Sequence, residues 1–101
     1  MSSKKEYEIK NVLYYLENLI EKKKKSNKNI SYTEKLLAGN INKIIQKVGE
    51  EAVEVLIEAT LKNKQKTIYE SADLIFHLLI MWNKLEIKIE DIAEELEKRK
   101  K

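Results

Sequence analysis

Cysteine and proline are both absent from this 101-residue chain, and glycine occurs only twice, at Gly39 and Gly49. Without cysteine there is no disulfide framework and no thiolate zinc site. Without proline, and with so little glycine, long stretches are free of helix breakers, while Leu, Ile, Glu and Lys are abundant and favour helix. No apolar run reaches membrane-spanning length and no N-terminal apolar leader is visible, so the chain reads as neither secreted nor membrane-inserted, with the cytoplasm as its expected address. The apolar fraction of 43% is enough for one small core. The expectation is an all-α protein with a single domain over residues 1–101, short enough of core material to gain from forming a homo-oligomer.

A net charge of +3 raises the question of nucleic acid. The excess sits in Lys22 to Lys25, Lys28 and the terminal Lys98-Arg99-Lys100-Lys101, with no aromatic platform interleaved and no helix-turn-helix signature. These runs read as solvated ends, and no nucleic-acid partner is expected.

Apolar residues at three- and four-residue spacing predict a first helix over about residues 4–24, through Ile9, Val12, Leu13, Leu16, Leu19 and Ile20. The turn formers Ser26-Asn27-Lys28-Asn29 follow, and Ser31 or Thr33 is placed to cap a short helix through Leu36 and Leu37 that Gly39 ends. Long helices are then expected over about 40–60 and 66–84, joined through Lys62-Asn63-Lys64, with a last helix over about 89–98. There is no internal repeat.

Two acid-rich stretches, Glu50-Glu51-Ala52-Val53-Glu54 and Glu70-Ser71-Ala72-Asp73, fall on the two long helices. With Lys47 taken as zero, Glu50, Glu51, Glu54 and Glu58 occupy a stripe from about −60° to +40°, bordered by apolar residues on both flanks. On the next helix, Leu74, Ile75, Phe76, Leu78, Leu79, Ile80, Met81 and Trp82 cover almost every direction, which predicts a buried helix. Its polar seam is narrow, made of Glu70, Asp73 and His77. Two ionised carboxylates about 5 Å apart repel by roughly 3 kcal/mol at an effective dielectric of about 20. Lys47 offsets only part of such a cluster, whereas a hard divalent cation accepts several carboxylate oxygens together. Magnesium is the natural candidate, with manganese behind it. Glu90-Asp91-Ile92-Ala93-Glu94 has similar spacing, but there Ile89, Ile92, Ala93 and Leu96 form a clean apolar stripe and the acids fill the broad opposite face. That set reads as a plain solvated surface.

The stretches Ser31-Tyr32-Thr33, Leu36-Leu37, Gly39, Ile44, Gln46-Lys47-Val48-Gly49-Glu50-Glu51-Ala52-Val53-Glu54 and Glu70-Ser71-Ala72-Asp73-Leu74-Ile75-Phe76-His77-Leu78-Leu79 together resemble phosphoribosyl-ATP pyrophosphohydrolase, within the MazG-like all-α nucleoside triphosphate pyrophosphohydrolases. The resemblance covers about half of the chain. It implies a helical bundle of four to five helices completed by homodimerisation, and magnesium-dependent hydrolysis of phosphoribosyl-ATP to phosphoribosyl-AMP and pyrophosphate, the second step of histidine biosynthesis. By the same resemblance Glu51, Glu54, Glu70 and Asp73 match the metal-binding acids, and Glu50 the neighbouring acid that either ligates or orients water. Glu50 and Glu51 are the candidate catalytic bases. Ser31, Tyr32, Thr33, Lys47 and His77 are candidate substrate contacts. Each has a plainer reading: Ser31 and Thr33 as helix caps, Lys47 as a partner of Glu51 one turn on, and His77 as a satisfied core histidine or the orienter of a metal-bound acid. Trp82 and Met81 read as packing residues.

At Glu86-Ile87-Lys88 the chain departs from the glycine turn expected of such relatives. Relatives of this kind are often fused to phosphoribosyl-AMP cyclohydrolase, which uses cysteine zinc ligands, so a short cysteine-free chain is expected to be the stand-alone form. Two other functions fit the acids: a housekeeping nucleoside triphosphate pyrophosphohydrolase with the same metal site, and a non-enzymatic dimerisation module whose acids merely pair with lysines.

Overall fold

The computed structural model describes residues 7–26 and 28–100. They form five helices, α1 (Ile9–Ser26), α2 (Tyr32–Ala38), α3 (Ile41–Thr60), α4 (Lys64–Lys84) and α5 (Ile89–Lys98), and no strand is found among the described residues. Residues 4–6 of the expected first helix, Asn27 of the expected turn and Lys101 of the basic terminus lie outside the described residues. Where it is described, α1 begins at Ile9 and runs on to Ser26, two residues past its expected end. No helix is long and apolar enough to cross a membrane.

Short polar side chains set the helix starts. Ser31 accepts from the Glu34 amide while the Glu34 carboxylate accepts from the Ser31 amide at 2.8 Å, a reciprocal capping box that decides between Ser31 and Thr33 as the cap of α2. The Ser26 hydroxyl also donates to Glu34, and these donors, Ser26 foremost, hold its carboxyl at about 2, well below its ordinary value. Asn40 caps α3, and Asn63 accepts from the Lys66 amide to start α4 two residues earlier than expected.

The ends of α3 and α4 are built alike. After α3, the Lys62 amide donates to Ala59 and the Asn63 amide to Glu58, with Lys62 at φ 58°. After α4, the Glu86 amide donates to Asn83 and the Ile87 amide to Trp82, with Glu86 at φ 60°. Both are Schellman terminations, in which the left-handed residue is usually glycine. Glu86 therefore occupies the left-handed position where the family pattern led to an expectation of glycine, and the turn forms regardless, at a backbone cost of about 1–2 kcal/mol.

One core joins four helices: Ile20 of α1, Leu36 and Leu37 of α2, Ile44 of α3, and Leu79 and Ile80 of α4 are buried together, with Leu13, Leu16, Phe76, Met81, Trp82 and Ile89 packed against them. The Lys84 ammonium donates to the Leu37 carbonyl at 2.6 Å and closes the end of α2. Glu17 accepts from the Ile89 amide at 2.9 Å and anchors the start of α5.

The expectation that α4 is buried on nearly every side needs correction for the single chain. Only His77, Leu79 and Ile80 of α4 are buried, while Ile68, Tyr69 and Ile75 stand 57%, 69% and 41% exposed. Helices α1, α2 and α3 cover one side of α4 and leave the other open. The same holds for α3. Ile44 and Glu51 are buried and Val48, Ala52 and Val55 half-buried, but the second apolar flank, Val53 and Ile57, is open to solvent.

Candidate functional site

Helices α3 and α4 form an antiparallel hairpin closed by Leu61, Lys62 and Asn63, and they are the most closely packed pair of elements in the fold. Three acids meet across it. Glu51, Glu70 and Asp73 each bring a carboxylate oxygen to within 4.8 Å of the others; Glu51 is buried, and Glu70 and Asp73 are half-buried. Burial, reinforced by the adjacent Asp73 carboxylate, pushes the Glu51 carboxyl above its usual range. A repulsion of about 3 kcal/mol per pair at this separation, taking an effective dielectric of about 20, adds to the cost of ionising Glu51 beside these acids.

The donor set suits a hard cation. Magnesium binds oxygens at about 2.0–2.1 Å in an octahedron, so ligand oxygens about 3–4 Å apart would be needed, within the 4.8 Å that already encloses this trio. Three carboxylates leave octahedral positions over for water and for phosphate oxygens. A group of this kind without nitrogen or sulfur ligands favours magnesium or manganese over softer metals.

Of the acids expected on α3, only Glu51 joins this trio. Glu54 is exposed and lies outside it, and Glu50 is exposed and accepts from Gln46 at 2.9 Å. The reason is angular. Glu51 borders the side of α3 that faces α4, and Glu54 and Glu50 are turned away from it by about 60° and 100°. The Gln46 amide first, with Lys47 adding to it, lowers the Glu50 carboxyl, so Glu50 is ionised and weakly basic. Lys47 stands 3.5 Å from Glu50 and 3.6 Å from Glu51, and its pKa is raised above its ordinary value by the charge Tyr32 takes on when it ionises and then by these acids. The lysine pairing foreseen from the sequence is thus present, with a quarter of the side chain still exposed.

Around the trio, Thr33 is buried and Ser31 is committed to its capping box. His77 is buried one turn beyond Asp73, and both of its nitrogens are engaged: Nδ1 lies 2.8 Å from the Asp73 carbonyl and Nε2 lies 2.8 Å from the Tyr32 hydroxyl. Burial, more than the surrounding charges, raises the Tyr32 phenol and keeps it protonated. The link between Tyr32 and His77 spans two distant stretches of chain, and no periodicity or spacing in a single sequence announces it. Gln46, the donor to Glu50, was likewise visible only as part of a motif.

The acids of α5 behave as a solvated face: Glu90, Asp91, Glu94, Glu95 and Glu97 are exposed, with Glu95 and Glu97 paired to Lys98, Arg99 and Lys100. Asp91 caps its own helix by accepting from the Lys88 amide.

Comparison with known proteins gives one consistent family. Residues 13–100 match phosphoribosyl-ATP pyrophosphohydrolase. The chain is 46% identical over 84 residues to a histidine biosynthesis bifunctional protein HisIE of Bacteroides thetaiotaomicron, covering 83% of this chain and 41% of that protein. It is 42% identical over 90 residues to a phosphoribosyl-ATP pyrophosphatase of Clostridium novyi, covering 89% of this chain and 82% of the relative. To that of Leptospira biflexa it is 44% identical over 87 residues, covering 86% and 95%. The chain therefore spans about two fifths of the bifunctional relative and most of the two single-activity ones.

Proposed function

Since the chain belongs to the phosphoribosyl-ATP pyrophosphohydrolase family, we propose that it hydrolyses phosphoribosyl-ATP to phosphoribosyl-AMP and pyrophosphate, with a cytoplasmic address as part of the same reading. The observation that carries the metal-dependent part is the convergence of Glu51, Glu70 and Asp73 between α3 and α4. These three would hold a magnesium ion, or manganese in its place, with Glu54 turned toward solvent one turn from Glu51 as a further ligand once substrate and cation are bound. A cation held there supplies charge neutralisation on phosphate oxygens and a more acidic water.

The chain's own groups do the rest. Lys47 contacts the polyphosphate as a point charge, and Ser31, Tyr32 and Thr33 at the start of α2 serve as substrate contacts. The proton of the attacking water goes to a carboxylate of the Glu50–Glu51 pair. Glu51, whose proton affinity burial raises, is the stronger base, while Glu50 is kept ionised by its donors. No cysteine is available for a covalent path.

Pyrophosphate release from phosphoribosyl-ATP, ATP and dCTP, each with magnesium and with EDTA, tests this directly. Phosphoribosyl-ATP with magnesium is expected to be turned over fastest. Equal or greater turnover of the simple triphosphates would point to the housekeeping activity instead, and release unaffected by EDTA would remove the metal. Absence of any turnover and of any magnesium-dependent stabilisation would favour the non-enzymatic module.

A homodimer belongs to the same proposal. Val53, Leu56, Ile57 and Leu61 of the hairpin are 53%, 65%, 46% and 69% exposed and line a shallow apolar groove with Thr60, on the side of α3 away from the acids. Ile68, Tyr69 and Ile75 continue apolar exposure on α4. A second copy would cover these surfaces. Light scattering at micromolar concentration is expected to give twice the chain mass for the natural sequence and a single chain for Leu56→Asp; a monomeric natural chain would refute the dimer.

A further inference from the structure

His77 is held on all sides. Its ring is 3% exposed and meets Tyr32 edge-on at 5.7 Å and Phe76 edge-on at 5.9 Å. Its Nδ1 lies 2.8 Å from the Asp73 main-chain oxygen and 3.4 Å from Asp73 Oδ1. A carbonyl oxygen only accepts, so Nδ1 carries the proton; in the neutral imidazole Nε2 is then an acceptor, and the Tyr32 hydroxyl donates to it at 2.8 Å. Among the described residues, apart from the neighbouring Glu51 carboxyl, His77 is the donor that approaches the Asp73 carboxylate, which is one of the three that converge between α3 and α4.

We propose that Tyr32 and His77 are positioning residues: the Asp73 carbonyl selects the Nδ1 proton of His77, the Tyr32 hydroxyl supports that tautomer by donating to Nε2 and holding the ring in place, and the N–H restrains Asp73 in the orientation that faces Glu51 and Glu70. The proposal rests on the metal reading of the acid trio, and it replaces a direct substrate contact for His77, since a buried ring with both nitrogens engaged has nothing left to offer a phosphate. Donors behind a ligating carboxylate orient it, and their loss typically weakens metal binding by about 10–100-fold. The 2.8 Å bond anchors the imidazole to the backbone of α4, and the 3.4 Å approach lets the same N–H restrain the carboxylate. Tyr32 matters because its donation to Nε2 supports the tautomer and ring orientation that the Asp73 carbonyl selects: with Nε2 protonated instead, Nδ1 would present a lone pair to both Asp73 oxygens and repel them. A strut with no influence on the site is the competing explanation, since the same bond joins α2 to α4.

The experiment is titration of the full chain with manganese, followed by electron paramagnetic resonance of the free ion, beside melting curves of the metal-free proteins. Tyr32→Phe keeps the ring and removes only the donor, and is expected to weaken manganese binding by about tenfold. His77→Asn has an amide donor close to the Nδ1 position and no tautomers, so it is expected to bind manganese within about twofold of the natural chain, whereas His77→Leu falls to the level of Tyr32→Phe or below. In the His77→Asn background, Tyr32→Phe is expected to add no further loss of metal affinity. A strut would lower the melting temperature in every variant and leave the manganese affinity of the folded protein unchanged. Long-range proton–nitrogen spectra of the metal-free natural chain give a second readout, with the His77 proton expected on Nδ1. Unchanged manganese affinity in Tyr32→Phe, or a proton found on Nε2, overturns the proposal and leaves the metal site standing. A natural chain that binds no manganese overturns both.

Discussion

Glu51→Gln is expected to cut magnesium-dependent pyrophosphate release from phosphoribosyl-ATP by about 10²–10³-fold, the scale on which loss of one buried, preorganised electrostatic contact acts. The same variant should melt at the natural temperature or above when the metal is removed. Both results have one cause. Glu51 is a buried carboxyl beside Asp73 and Glu70, and burial together with Asp73 already favours its neutral form. An amide of the same shape removes a charge that the metal-free fold holds at a cost and the cation-bound fold requires. Calorimetry with EDTA and with excess magnesium separates the two states. A Glu51→Gln protein that still gains stability from magnesium as the natural chain does would sink the assignment of Glu51 as a ligand. Function and stability trade against each other at this residue, so a loss of activity there cannot be blamed on unfolding.

Ile80→Ala is expected to have the opposite profile, a large loss of stability with no direct effect on the chemistry. Ile20, Ile44 and Ile80 are the largest fully buried side chains, contributed by α1, α3 and α4. Truncating one leaves a cavity that the surrounding helices fill only in part, for about 2–5 kcal/mol. In a domain of this size that corresponds to a fall in melting temperature of at least about 10 °C, measured at fixed protein concentration because dimerisation would contribute. Leu96→Ala is the comparison, since Leu96 is 59% exposed on α5 and its truncation should stay within about 0.5 kcal/mol. A drop no larger for Ile80→Ala than for Leu96→Ala would mean that the shared core does not hold the fold together.

Most helix limits were legible because the chain marks them with short polar residues. Ser31, Asn40 and Asn63 each satisfy an orphan amide, and Gly39 ends α2. The left-handed residues Lys62 and Glu86 were not legible, since neither is a residue type that prefers that region; the backbone bonds that end α3 and α4 hold them there. The acid cluster was legible as a pairing of two helices. Which acids of α3 enter it was not, because Glu50, Glu51 and Glu54 lie on one stripe and only the approach angle of α4 selects Glu51. The solvated character of the α5 acids did follow from their broad face, and the exposures agree. The open flanks of α3 and α4 show the limit of periodicity: it reports which surfaces are apolar, and is silent on whether the same chain covers them.

The hairpin that carries Glu51, Glu70 and Asp73 is closed by Leu61, Lys62 and Asn63. Contacts between neighbouring helices joined by so short a turn carry little loop-closure entropy. Assembly of the acid trio is thus a local event along the chain, complete once two adjacent helices dock. The N-terminal helix and α5 can vary in sequence, length or attachment without disturbing the order in which the site is made, which leaves this hairpin free to serve inside chains of very different size.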